Sequence, residues 1–344
     1  MKKMITIVLF FYCFIAMGQD KQYKISTIGF YNLENLFDIK DDDEVRDSEF
    51  TPEGSKNWTF EKYHEKLEHL SHVIQDLGTD ENNDGVAILG VSEVENRGVL
   101  EDLVLQKAIK DRNYKIIHED SPDKRGIDVA LLYQAEKFQP ISYKYHTLHL
   151  QRDGERVYTR DVLHVHGNLD GEDIHLLVNH WPSRSGGEKK SRPGRNAAAK
   201  LNKEICDSLQ QVSPKAKILI MGDLNDDPIS PSLKSILKAR QHVSNTPKNG
   251  FYNPMWAFYK KGIGSNAYRD AWSLFDQIIV SETLLDRMQE GFFYYRAGIH
   301  NKNELVQTFG QYKGYPFRTF SGDTYIAGYS DHFAVYVHLL KTVY

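Results

Sequence analysis

The chain has 344 residues, 40% hydrophobic and 26% charged, a balance that excludes disordered and fibrous classes. A chain of this length buries roughly three quarters of its unfolded surface, enough for one large domain or two smaller ones. The formal net charge of −4 excludes a global basic field, so recognition of any polyanion has to come from local clusters.

Lys2 and Lys3 precede the apolar run Met4 to Met17, and Ala16 and Gly18 stand before Gln19. This reads as a secretory signal peptide over residues 1–18, too short for a comfortable membrane span. No small-residue pair precedes Cys13, which argues against a lipid anchor. Loss of Lys2 and Lys3 takes the formal charge from −4 to −6, and loss of Cys13 leaves Cys206 alone, with no internal disulfide. A secreted or periplasmic protein follows, with one domain over residues 19–344 and no stable membrane association.

Residues Tyr23 to Tyr31 alternate and end in Asn32-Leu33-Glu34-Asn35, a strand that stops in polar residues. The acidic stretch 38–57 reads as a solvated surface loop. Tyr63, Leu67, Leu70, Ile74 and Leu77 repeat at helical spacing, with Gly78 as the stop. Asp80, Asn82, Asp84 and Gly85 imitate the opening of a calcium-binding EF-hand loop, but Val91 stands where the bidentate glutamate belongs, so a polar turn is expected. Val86 to Val91 is a buried-strand run that ends in Ser92-Glu93-Val94-Glu95-Asn96. Further strands are expected at Ile127 to Tyr133, Val162 to Gly167, Ile174 to Val178, Phe275 to Val280 and Phe333 to Leu339, and helices over 97–110, 195–211 and 231–239. Cys206 lies beside the stripe Ala198, Leu201, Ile205, Leu209 and reads as a packed thiol.

Ile218 to Met221 runs straight into Gly222-Asp223-Leu224-Asn225. An apolar run closed by turn formers is a strand buried on both faces. Alternation along it would put Asp223 and Asn225 on one side. A carboxylate that can orient a water, beside an amide that donates to oxygen, suits a site that handles an oxyanion. A plain tight turn uses the same residue types. Two-sided apolar strands recur along the whole chain without a linker, which favours an α/β fold of two packed sheets with helices outside.

Five strand ends carry chemistry of this kind: Asn32 with Glu34, Glu93, Asn179 with His180, Asp223 with Asn225, and Asp331 with His332, while Asp276 heads its own strand. Strand ends on one rim of a sheet converge. Carboxylates about 4 Å apart repel by roughly 4 kcal/mol at an effective dielectric near 20, so Glu34, Glu93 and Asp331 share a pocket only if protonated or if a cation sits among them. An oxygen ligand set favours Mg²⁺ or Mn²⁺, and no histidine or cysteine pair shows zinc spacing.

The segments Asn32-Leu33-Glu34, Ser92-Glu93, Asn179-His180-Trp181-Pro182-Ser183, Met221-Gly222-Asp223-Leu224-Asn225, Phe275-Asp276-Gln277-Ile278-Ile279-Val280 and Ser330-Asp331-His332-Phe333 follow one another in this order. The ordered set resembles the endonuclease/exonuclease/phosphatase superfamily, and within it the secreted deoxyribonuclease I-like enzymes, over residues 24 to 341. The resemblance implies a four-layer sandwich of two packed mixed β-sheets flanked by helices, and metal-dependent hydrolysis of phosphate esters. It casts Glu93 as principal metal ligand, supported by Asn32, Glu34 and Asp331. It casts His332 as the histidine facing the scissile phosphate, oriented by Asp276, and Asp223 with Asn225 as the pair that aligns water and binds phosphoryl oxygens. His180 becomes a candidate acid for the leaving oxygen, with Asp128 as a loose match for its orienting carboxylate. Arg160 resembles a phosphate-contacting arginine, and Arg184 and Arg195 lie in a loop where Lys189, Lys190 and Arg192 add positive charge and Gly186-Gly187 permits close backbone approach. Tyr268-Arg269 and Trp272 are read as another wall of the cleft or as packing beneath it.

The resemblance implies a monomeric nuclease using Mg²⁺ or Mn²⁺ on DNA or RNA. A structural Ca²⁺ belongs to such relatives, although this chain lacks their disulfides. The alternative is a phosphatase or phosphodiesterase on inositol phosphates or sphingomyelin-type lipids. Against it, Phe275-Asp276-Gln277 stands where the inositol enzymes have Cys-Asp-Arg-type residues, and Phe292-Phe293-Tyr294-Tyr295 reads as a buried strand and not as a lipid-facing hairpin.

Overall fold

The computed structural model describes residues 22–288 and 290–343, so the signal-peptide reading of 1–18, with Cys13, lies outside the described residues. Strand β1 (Gln22–Leu36) leads through helix α1 (Phe60–Asp76) to β2 (Val86–Val94) and helix α2 (Arg97–Val104). Strands β3 (Tyr114–Ile117), β4 (Asp128–Gln134), β5 (Phe138–His146), β6 (Leu150–Arg152), β7 (Glu155–Val157), β8 (Val162–Leu169) and β9 (Glu172–His180) follow in succession. Helix α3 (Glu188–Val212) then precedes β10 (Ile218–Asp223), β11 (Ala239–Arg240), β12 (Phe251–Tyr252) and helix α4 (Met255–Lys260). The chain ends with β13 (Asn266–Tyr268), β14 (Ala271–Ser273), β15 (Asp276–Ser281), β16 (Phe293–Ile299), β17 (Phe320–Ser321), β18 (Thr324–Tyr325) and β19 (Val335–Val343).

Two large mixed sheets face one another. One has the order β16-β19-β1-β2-β4-β3 and the other β11-β12-β15-β10-β9-β8-β5. Their inner faces share one core, in which Ile28, Phe30, Val91, Val178, Met221 and Val335 are all fully buried. Gly90 lets the sheets approach closely: a Cβ there would lie 2.7 Å from Met221 Sδ and 3.1 Å from Val178 Cγ1 of the opposite sheet. The stripe Leu67, Leu70 and Ile74 of α1 lays that helix on the outside of the first sheet. Ala198, Ala199, Ile205 and Cys206 of α3 pack on Leu177, Ile218 and Ile220 outside the second. The buried Cys206 is therefore a packing residue, its thiol raised by desolvation.

Three of the expected helices need correction. The helix expected over 97–110 stops at Val104, because the fully buried Leu100 and Leu103 end the apolar face and Leu105 points into solvent. Helix α3 begins at Glu188 and not 195, carrying Pro193 in its second turn, where only one backbone donor is lost. The helix expected over 231–239 shrinks to one wide turn at Ser232–Ile236 before β11. The acidic stretch 38–57 is also not wholly solvated, since Asp47 and Phe50 are buried and Phe50 stacks on Phe37 at 4.5 Å. The EF-hand look-alike is a turn whose Asp80 binds His338 Nε2 at 3.1 Å. The expected buried strand at Phe292 to Tyr295 is the start of an edge strand, Phe293–Ile299, in which Phe292 and Phe293 are buried but Tyr295 is exposed because no strand covers that side.

Candidate active site

Parallel pairing of β9 with β10 sets His180 beside Asp223, and antiparallel pairing of β10 with β15 sets Asp276 on the other side of Asp223. Gly222 permits the tight approach of the two strand ends, since a Cβ there would lie 2.2 Å from the Asn179 carbonyl oxygen. In the facing sheet β1 and β2 run parallel with Asn32 opposite Ser92, and the register breaks just beyond, between Asn32 and Leu36. At these bulges Glu34 and Glu93 adopt left-handed backbone, with φ of 48° and 61°, which re-aims both carboxylates toward the gap between the sheets. Left-handed φ costs a non-glycine residue roughly 1–3 kcal/mol, and its persistence at two acidic residues on one rim marks a functional strain. His332 completes the rim from the turn before β19, its N–H donating to Ser330 Oγ at 3.1 Å.

The geometry within the rim is close. Asn32 Nδ2 donates to Glu93 Oε1 at 3.3 Å and to Asp223 Oδ2 at 3.2 Å, and so bridges the sheets. His180 Nε2 lies 3.7 Å from Glu93 Oε1 and 3.6 Å from Asp223 Oδ2. His332 Nδ1 and Asp276 Oδ2 are 2.7 Å apart, with both residues buried. Burial opposes charge on the His332 ring, but Asp276, with Asp223 and Asp331 beyond it, outweighs burial and holds that pKa well above the ordinary value. The opposite holds for His180: burial, then Arg160 and Arg125, keep it far below the ordinary value and therefore neutral. Burial lifts Asp223 to about 7, against the pull of His332, and burial with the neighbouring Asp331 lifts Glu34 to about 7.

Asn225 enters the site through a turn and not by strand alternation: its φ is 49°, its N–H donates to Asp223 Oδ1 at 3.0 Å, and its side chain donates to the Trp181 carbonyl at 3.0 Å. Asp128 does not reach His180. Its carboxylate pairs with His118 Nε2 at 3.1 Å and accepts from Ser121 N at 2.8 Å, so the groups facing His180 Nε2 are Glu93 and Asp223. Arg160 is buried behind the site, donating to Asp123 at 2.9 Å and to the Trp181 carbonyl at 2.7 Å. Arg184 lies over the Phe275 ring at 4.5 Å and donates to Asp226 and Asp227, leaving about a quarter of its side chain exposed.

Arg195 is corrected from substrate contact to structural clamp. It is 0% exposed, donates to Asp226 Oδ1 at 2.7 Å and to Ser191 Oγ at 2.8 Å, and so ties α3 to the loop after β10. Removing one member of such a buried pair strands the other charge. Arg195→Met is therefore expected to cost about 3–5 kcal/mol in urea denaturation. A rise in KM with unchanged stability would instead return it to the substrate-binding surface.

Two residues of the site were not singled out in the sequence. Lys66 of α1 is buried, donates to Thr319 Oγ1 at 2.6 Å, and Thr319 N in turn donates to Glu34 Oε2 at 2.7 Å. Its ammonium offsets Glu34, Asp331 and Glu93. Arg125 lines the cleft together with Arg160, adds to the charge that disfavours protonation of His180, and is half exposed. Glu93, His180 and Asp223 offer ligand atoms that all lie within 4.8 Å of one another, so the rim can hold a divalent cation, and the raised Asp223 and Glu34 carboxyls show a pocket short of positive charge.

A cleft of about 640 Å³ lies beside this rim, lined by Arg125, His149, Arg152, Tyr158, Arg160 and Lys190 among others; Arg160 and Arg125, which disfavour charge on His180, belong to its wall, while the rim's own side chains do not. On the far side the β13–β14 hairpin stands against His332: Trp272 stacks on Phe333 at 6.0 Å while 39% exposed, and Tyr268 is 70% exposed with Arg269 5.2 Å over its ring.

Residues 27–341 match the model described as the Endonuclease/Exonuclease/phosphatase family. None of the curated proteins is similar enough to match. Among solved structures, an endonuclease/exonuclease/phosphatase family protein from Bacteroides thetaiotaomicron is 18% identical with a TM-score of 0.55, over 94% of this chain and 97% of that one. The mannosyl-6-phosphatase Bt3783 of Bacteroides thetaiotaomicron VPI-5482 is 18% identical with a TM-score of 0.53, over 91% and 99%. TDP2 of D. rerio, complexed with single strand DNA product, is 11% identical with a TM-score of 0.53, over 92% and 98%. At these identities the likeness is one of fold.

Proposed function

The chain belongs to the Endonuclease/Exonuclease/phosphatase family of phosphoric ester hydrolases, and within it we propose an exported nuclease that hydrolyses DNA, and RNA by the same chemistry, with little sequence preference. The observation that carries the nucleic-acid reading is the basic cleft beside His180 with the exposed aromatic hairpin opposite. A phosphomonoester needs a pocket for one phosphate. A polymer needs positive charge along its backbone beside the scissile bond, and faces on which bases can stack. Arg125, Arg152 and Lys190 offer the first, and Tyr268 and Trp272 the second. Backbone charge and base stacking are both sequence-tolerant, which suits low specificity.

The reaction follows from the charge states. Water attacks phosphorus opposite the leaving oxygen, and the bond to that oxygen breaks. Asp223, with a pKa of about 7, orients the water and takes its proton, while Asn225 holds the phosphoryl oxygens. His332, kept protonated by Asp276, donates its proton to the departing alkoxide, and both groups then exchange protons with solvent. The neutral His180 is a poor acid and serves as positioner, its Nε2 facing the Glu93 and Asp223 carboxylates, a change from the role first expected of it. Glu93 with Asn32, Glu34 and Asp331 would hold Mg²⁺ or Mn²⁺, which when bound supplies the positive charge that offsets the phosphoryl oxygens.

Export is read from the first 18 residues. No helix among the described residues is long and apolar enough to cross a membrane. The test is incubation of the purified protein with supercoiled plasmid, with and without chelator. Nicking that chelator abolishes is expected. Absence of nicking together with rapid phosphate release from sugar or inositol monoesters would replace the nuclease by a phosphatase.

A further inference from the structure

The far end of the second sheet carries a group of histidines that the reaction does not use. His164 and His166 alternate onto the outer face of β8, and pairing of β8 with β9 sets His166 directly opposite His175. The rings of His166 and His175 stack at 4.4 Å and 16°, His166 Nε2 lies 2.6 Å from Asp173 Oδ1, and His175 Nδ1 lies 3.1 Å from His164 Nε2. His146 of β5 continues the row 5.9 Å from His164, and its Nε2 is buried without a hydrogen-bond partner.

We propose that His166, His175 and Asp173 form a second metal site on the outer face of the β8–β9 hairpin, one that takes a borderline-soft transition ion of the Zn²⁺ type. The ligand atoms of these three residues lie within 4.8 Å of one another. Tetrahedral zinc with bonds of about 2.0–2.1 Å needs ligand atoms about 3.4 Å apart, so the His166–Asp173 pair, now hydrogen-bonded at 2.6 Å, would open to admit the ion. The side chains of Asp173 and His166, 59% and 27% exposed, are the ones that would rotate to do so. Their exposure also leaves the fourth position to water.

The chemistry separates this site from the catalytic rim. Two imidazoles and one carboxylate select zinc, nickel or copper, whereas the rim's carboxylates and amides suit hard ions. The two lie five residues apart along β9, about 17 Å at 3.3 Å per residue. His164 sits where it can accept from Nδ1–H of a His175 that ligates through Nε2, which fixes the tautomer and the ring. The sequence hid this site because its spacing exists only across two paired strands. A bound ion would staple the hairpin whose other end presents His180.

The test uses the full chain carrying Glu93→Gln, which takes away one carboxylate of the rim, in excess Mg²⁺ to occupy the rest, titrated with Zn²⁺ under equilibrium dialysis. One bound Zn²⁺ per chain is expected, a rise in Tm with it, and tetrahedral visible bands when Co²⁺ replaces Zn²⁺. Adding His166→Ala or Asp173→Ala should weaken Zn²⁺ binding at least tenfold and remove the Tm shift. Asp173 is exposed and His166 more exposed than the buried His175, so these two variants are expected to fold even if His175→Ala does not. Zinc uptake that is absent in the Glu93→Gln chain, or unchanged by both substitutions, overturns the proposal.

Discussion

His332→Ala is expected to lower the rate of phosphodiester cleavage by about 10³- to 10⁴-fold, with KM changed far less. The side chain combines two tasks that each carry a large share of the barrier. General acid catalysis is worth roughly 10²–10⁴, and charge stabilisation beside a developing oxyanion roughly 10²–10³, with overlap between the two. The cation is available because Asp276 at 2.7 Å, with Asp223 and Asp331, overcomes the cost of burying it. The sign of the pH dependence follows. A histidine whose pKa is raised on folding stabilises the native state fully below its unfolded value near 6.5, and that stability disappears as pH rises through the folded value. Asp276→Asn should therefore bring the alkaline limb of the rate profile to lower pH and lower the rate at pH 8 more than at pH 6. The measurement is plasmid cleavage across pH for wild type and both variants at saturating metal. A His332→Ala enzyme within tenfold of wild type would remove the ring from the reaction.

Sequence patterns carried the strand ends of this site further than its flanks. Met221 to Asn225 and Ser330 to Phe333 are legible because a buried strand must end abruptly in polar residues, and the ends of parallel strands meet on one rim. Lys66 was not legible. It lies beside the stripe Tyr63, Leu67, Leu70 at a position that reads as a solvated flank, and the acids it offsets, Glu34 and Asp331, come from distant parts of the chain. Arg195 left a signal that was passed over: Arg195, Ala198, Ala199, Asn202, Ile205 and Cys206 share the buried face of one helix, so a charge there had to be paired inside. Asp128 was misassigned because a carboxylate heading a strand reads alike whether it faces the rim or a local histidine such as His118. The re-aimed Glu34 and Glu93 depend on left-handed kinks at glutamate, which no propensity rule anticipates.

The second large effect is expected at Glu93, where substitution should move stability and activity in opposite directions. Glu93 accepts from Asn32 Nδ2 at 3.3 Å and from Asn35 N at 3.0 Å, and its carboxylate is within 4.8 Å of the Asp223 and His180 ligand atoms. Two full charges at that separation repel by roughly 3 kcal/mol at an effective dielectric of 20, an upper limit because Asp223 is half protonated near neutrality. In chelator, Glu93→Gln is thus expected to be more stable than wild type by about 1 kcal/mol at pH 8. The sign with pH is definite. Asp223 and Glu34 have folded values of about 7, above their unfolded values, so between the two the native state holds more protons and metal-free stability falls as pH rises. The advantage of Glu93→Gln should accordingly shrink toward pH 5, where Asp223 no longer carries its charge. With Mg²⁺ or Mn²⁺ added the order should reverse: wild type gains the binding free energy, and Glu93→Gln, lacking one ligand, gains little and loses about 100-fold or more in cleavage. Urea midpoints in chelator and in metal, at pH 5 and 8, measure all four corners. A Glu93→Gln protein that matches wild type in every corner would place the ion elsewhere, and the assignment of the rim as a metal-dependent phosphodiester site would go with it.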